Sequence, residues 1–150
     1  MVTKIRNGGL FLEFQKIKLH RSEKNRAAVT QITLDDDYNV PDYRQDIVKV
    51  IKERGELRFD EVKAMEGAAW IKGSLVFKVL YRSDKQEGKI SCLRGEIPFQ
   101  ERLNMDGLSE YDAVHATGDM EDLTIGVINS RKLNVRAVIV LTASSEKEVS

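Results

Sequence analysis

The sequence predicts a mainly β protein, a two-layer β-sandwich of antiparallel strands carrying one α-helix at about residues 42–54. Two segments carry the strand prediction. Trp70 to Tyr81 sets Ile71, Leu75, Phe77, Val79 and Tyr81 on one parity and Lys72, Ser74 and Lys78 on the other. Leu133, Val135, Ala137, Ile139 and Leu141 repeat that period of two against Lys132, Asn134 and Arg136. Such alternation makes one face of an extended strand apolar and leaves the other wet. The third observation is size: 150 residues, 41% of them hydrophobic, suffice for one domain that buries about two-thirds of its unfolded surface.

The elements follow in order. Residues 1–9, with Gly8-Gly9, read as a flexible entry; residues 10–143 read as a single β-rich domain. Its first strand, Leu10–Leu19, switches apolar parity between Phe14 and Ile17, as a bulge or bend requires. Ala27–Leu34 is a second strand. After Val40-Pro41, Asp42 stands as a helix cap with Gln45 three residues on, and Tyr43, Ile47, Val50 and Ile51 then share one helical face. Arg54 and Gly55 suit the end of that helix. Strands at Leu57–Met65, Trp70–Tyr81, Lys89–Ile97, Asp112–Gly118 and Leu133–Leu141 complete the domain. Turn residues separate them at Glu66-Gly67, at Ser83-Asp84 through Gly88, and at Asp106-Gly107. Residues 144–150 read as a polar tail.

Composition removes several function classes. Lys+Arg and Asp+Glu both number 24, so a general nucleic-acid binder, which needs an excess of cations to displace counterions, is not expected. Cys92, the one cysteine, cannot form an internal disulfide. No apolar run approaches the roughly 20 residues that span a bilayer, and the first residues lack the apolar core of a secretion signal.

Candidate chemistry is sparse. Asp35-Asp36-Asp37 invites a calcium reading. Counting from Asp35, however, the sixth loop position is Val40 and the twelfth Asp46, where an EF-hand needs Gly and Glu. Consecutive acids in extended chain also alternate sides. His20, His115 and Cys92 lie far apart without a zinc-site spacing. Cys92, within a strand, reads as a small buried hydrophobe rather than a nucleophile. There is no phosphate-binding glycine motif, and nothing apposes Glu121-Asp122 to a second carboxylate for glycoside hydrolysis. Tyr38, Tyr43, Trp70, Tyr81 and Tyr111 could form a sugar-stacking face, with core or rim packing as the competing role. No catalytic, metal-binding or cofactor-binding residue is assigned.

Charge is unevenly distributed along the chain. The first 26 residues are rich in Lys and Arg, whereas Leu103 through Ser130 contain neither and carry Asp106, Glu110, Asp112, Asp119, Glu121 and Asp122. The first strand combines Leu10, Phe11, Leu12, Phe14, Ile17 and Leu19 with Lys16 and Lys18. Such an arm could complete a neighbour's sheet and set its cations against that acidic stretch, or it could fold back on its own domain.

The run Tyr38-Asn-Val-Pro-Asp-Tyr-Arg-Gln-Asp-Ile-Val-Lys-Val-Ile, then Trp70-Ile-Lys-Gly-Ser-Leu-Val-Phe-Lys-Val-Leu-Tyr, resembles the SPOCS domain family. So do Gly95-Glu-Ile-Pro-Phe, Glu121-Asp-Leu and Arg131-Lys-Leu-Asn-Val-Arg-Ala. The resemblance runs from about Leu10 to Leu141. It implies a non-catalytic structural module of spore-forming clostridia, made in the mother-cell cytoplasm and deposited at the forespore surface in the coat. Its partners would be other coat proteins or itself. Relatives often add a C-terminal LysM module; none follows Leu141, so peptidoglycan binding is not implied. The alternative is a carbohydrate- or cell-wall-binding sandwich, motivated by the tyrosines.

Overall fold

The described residues form, in chain order, the strands β1 (Val2–Lys4), β2 (Asn25–Asn39), β3 (Ile47–Met65), β4 (Ala68–Ser83), β5 (Ile90–Asn104), β6 (His115–Asn129) and β7 (Lys132–Glu146). The computed structural model describes residues 2–4, 25–83 and 89–146. One sheet has the order β1-β2-β7-β6, the other β3-β4-β5, and every pairing is antiparallel. The sheets stack with β3 alongside β6 and β2 alongside β5. Six of the strands have 15 residues or more, against a usual length of about 5–6. The sandwich is therefore long, with extended flat faces.

The central strands supply the core. Ile71, Leu75, Phe77, Val79 and Tyr81 of β4 are completely buried, as are Leu133, Val135, Ala137, Ile139 and Leu141 of β7. The predicted alternation of both strands holds. β7 continues through Ser144 and Ser145 to Glu146, taking in residues that the sequence reading places in the tail. The first strand expected at Leu10–Leu19 lies outside the described residues.

The expected helix at 42–54 does not form; among the described residues there is no helix. Residues 41–46 make a turn, with the Arg44 amide donating to the Pro41 carbonyl at 2.9 Å, and β3 begins at Ile47. Two register shifts explain the misreading. Val48 and Ile51 are extra residues between Ile47/Lys49 and Val50/Lys52. Each bulge inserts one residue into the period of two, so Ile47 and Val50 face inward three apart and imitate helical spacing. The supposed apolar face dissolves: Tyr43 is 82% exposed and Ile51 48%. β-Branched Ile47, Val48, Val50 and Ile51 also favour extended chain.

Both ends of the sandwich are closed. At one, the Arg131 side chain in the β6–β7 hairpin donates to the carbonyls of Arg44 (2.7 Å), Pro41 (2.8 Å) and Val40 (3.3 Å) and to Asp46 Oδ1 (3.0 Å). These bonds take up turn carbonyls that a helix would have used, and Val40 and Ile47 pack beneath. At the other end the Glu66-Gly67 hairpin meets the β5–β6 loop. The Gly67 amide donates to Leu108 and the Met105 amide to Gly67, and both Met105 and Leu108 are buried. Gly67 and Gly107 adopt φ of 76° and 84°, the left-handed region that glycine tolerates. The predicted turns at Glu66-Gly67 and Asp106-Gly107 stand where these residues place them, whereas residues 84–88 of the third lie outside the described residues.

Candidate functional site

The register of β3-β4-β5 assembles a basic face from residues far apart in sequence. Arg54, Lys78 and Arg94 stand in one row across the three strands. In the next row Lys52 and Cys92 flank Leu80, and beyond it Lys49 and Ile90 flank Arg82. These residues point away from the core because their neighbours Val79, Tyr81 and Leu93 point into it, and all of them are exposed. Lys52, Glu53, Arg54, Lys78, Leu80 and Cys92 line a depression of about 240 Å³.

Compensation is concentrated elsewhere on the same face. Arg58 reaches across β4 to Glu96 and also bonds Asp60 at 2.9 Å. The two carboxylates raise an already high guanidinium pKa, and the bridge lies over Ser74 and Val76, which are buried although they face outward. Arg94 meets Glu96 at 3.6 Å. Among the described residues no carboxylate lies within ion-pairing distance of Lys49, Lys52, Arg54, Lys78 or Arg82. Like charges directly opposite one another across strands are destabilising, so this end of the face carries a cost that folding does not require.

The outer face of the other sheet has the opposite character. Asp119 and Asp122 of β6 stand beside Val140 and Val138 of β7, with Glu121 as the extra residue of a bulge between them. Across β7, Asp35 and Asp37 of β2 share the face. The Asn134 amide ties them together, donating to Asp35 Oδ1 at 2.9 Å and Asp37 Oδ1 at 3.1 Å. Among the described residues Arg136 and Lys132 are the cations of this face. Among the described residues the two outer faces thus differ in character, the β3-β4-β5 face basic at one end and the β2-β7-β6 face acidic.

The structure divides the acidic stretch of the sequence. Asp119, Glu121 and Asp122 lie on β6, whereas Asp106, Glu110 and Asp112 belong to the loop that closes one end. Asp112 accepts from the Ser109 amide at 2.8 Å. Glu110 and Asp112 also line an open groove of about 730 Å³ beside Val62–Glu66. The arm residues Leu10, Phe11, Leu12, Phe14, Lys16, Ile17, Lys18 and Leu19 lie outside the described residues.

Cys92 is exposed, which corrects its expected burial: Leu93, Ile97 and Phe99 occupy the inward parity of β5, so Cys92 faces out. His115, paired with Ser144, stands on the other sheet at the opposite end. The aromatic residues are dispersed. Tyr81 is in the core, Tyr38 packs edge-on against Phe77 at 5.1 Å, and exposed Tyr43 and Tyr111 occupy opposite ends. The basic face escaped sequence reading because Arg54, Lys78 and Arg94 become neighbours only when the register is known.

Among the described residues these observations define a long antiparallel β-sandwich whose charged side chains are spread over its outer sheet faces. The family model described as SipL, SPOCS domain, matches residues 46–128, more than half of the chain. The chain belongs to the SPOCS domain family, and with it to proteins of sporulation. No curated protein and no solved structure matches it. No helix of the described residues is long and apolar enough to cross a membrane.

Proposed function

We propose that this domain is a non-catalytic assembly module that acts through protein–protein contacts in spore coat morphogenesis, made in the mother cell and deposited at the forespore surface. The observation that carries the reading is the row Arg54, Lys78 and Arg94 with its flanking cations, like charges held side by side on an open sheet face. Such a row is retained at a cost to the fold, and an anionic partner surface would offset that cost. Family membership supplies the sporulation setting. The carbohydrate-binding alternative draws less support, because exposed Tyr43 and Tyr111 stand at opposite ends of the sandwich.

The test is localisation of the full chain, fluorescently tagged, in a sporulating clostridial host. Reversing the basic row with Lys78→Glu and Arg94→Glu should abolish recruitment to the forespore, while Cys92→Ser and His115→Ala should leave it intact. Recruitment that survives the reversal, or that fails with Cys92→Ser or His115→Ala, would overturn the reading.

A further inference from the structure

We infer that the partner of the basic face is the acidic face of a second copy of this chain, so that molecules stack face to back in an open series. The inference rests on the assembly reading and adds the identity of the partner. Its ground is self-complementarity. Among the described residues, Lys49, Lys52, Arg54, Lys78 and Arg82 crowd one end of the β3-β4-β5 face, while on the opposite face Asp35, Asp37, Asp119, Glu121 and Asp122 outnumber Arg136 and Lys132.

Geometry suits the contact. β3, β4 and β5 have 19, 16 and 15 residues; at about 3.3 Å per residue and about 4.8 Å between strands, their shared face measures roughly 50 Å by 15 Å. That is on the order of 700 Å² per partner, near the about 800 Å² of a standard interface. Each face also has apolar groups between its charges. Leu80 and Ile90 are exposed among the cations, and Val138 and Val140 lie half-buried beside Asp122 and Asp119. Desolvated apolar centres with complementary charges around them are the usual composition of a specific interface.

The two faces lie on opposite sides of the molecule, so one copy cannot satisfy both with the same neighbour. The contact is heterologous, and repeating it gives an open stack rather than a closed dimer. Association should therefore grow with concentration without stopping at two copies. It should also weaken with salt, because screening shortens from about 30 Å at 0.01 M to about 3 Å at 1 M.

Sedimentation velocity of the full chain at these two ionic strengths tests this. Two variants separate the faces: Lys78→Glu with Arg94→Glu, and Asp119→Lys with Asp122→Lys, each checked for β-sheet content by circular dichroism. The wild type should form a concentration-dependent series at low salt that dissolves at high salt. Each variant alone should sediment as a monomer, and an equimolar mixture should associate again, because one then offers two acidic faces and the other two basic ones. A wild type that stays monomeric at low salt would overturn the proposal, as would association that neither variant reduces or a mixture that stays dispersed. A monomeric wild type that binds polyglutamate through the basic face would overturn it too, while leaving an assembly role with a different acidic protein intact. If the charge-reversed chain also reaches the forespore normally, the assembly reading itself falls.

Discussion

Gly95→Ala is the sharpest test of how the sandwich is packed. A methyl group at this position of β5 would lie 2.7 Å from Phe77 Cε2 and 2.9 Å from Tyr38 Cε1, with Phe77 Cζ nearer still. Neither ring can easily give way. Phe77 is wholly buried, and Tyr38 is held edge-on against it, with its hydroxyl donating to the Arg94 carbonyl at 3.4 Å. Overpacking a rigid core costs about 1–3 kcal/mol, and the boxed ring places this substitution near the upper end. For a chain of this length, about 3 kcal/mol corresponds to roughly 6–12 °C in Tm. With a urea dependence of about 2 kcal/mol/M, it also lowers the urea midpoint by about 1.5 M. Gly126→Ala is the matched control, because nothing lies within 4 Å of its added methyl; it should be neutral or stabilising by up to about 1 kcal/mol. Urea denaturation followed by circular dichroism reads both. Adding Phe77→Leu to Gly95→Ala should recover part of the loss, a coupling visible in a double-mutant cycle. Equal midpoints for the two alanine variants, or a purely additive cycle, would refute the packing described here.

Three further outcomes rest on individual side chains of the sandwich. Arg131→Ala should lose about 2–3 kcal/mol in urea denaturation, since it removes charged hydrogen bonds to three carbonyls and Asp46; Arg131→Lys should not restore it, lacking the planar fork. The Tyr81 hydroxyl is buried without a hydrogen-bond partner among the described residues, so Tyr81→Phe should be stabilising by about 1 kcal/mol in thermal melts. Burial raises the carboxyl pKa of Glu101, so its ionised form weakens the fold at neutral pH. That penalty is present in full above the raised folded value and vanishes below the ordinary carboxylate value of about 4.3. Glu101→Gln should therefore be more stable than wild type at pH 7, and urea midpoints across a pH series should show the gap closing as the solution is acidified.

What the sequence discloses depends on whether a property is local. The alternations of β4 and β7 are complete in one dimension, because every second residue enters the same core. Gly67 and Gly107 mark their turns because a positive φ is a property of one residue. The helix expectation failed at Val48 and Ile51, where bulges broke the strand period in a way that mimics another. Cys92 was legible after all: its parity in β5 opposes Leu93, Ile97 and Phe99. The charge-sorted faces were not legible, since they arise from pairing between strands. Nor was the Arg131 clamp, which joins two of the segments that carry the family resemblance and gives both a role in holding the ends of the sheets.

Gly55 lets Met120 and Leu123 of β6 approach β3, and Gly118 lets Leu57 and Phe59 approach β6. Along this stretch side chains of β3 and β6, the edge strands of the two sheets, fill the space that each glycine leaves, so the two margins are locked together from the inside. A bulky residue at either glycine would collide with those side chains and force the two margins apart.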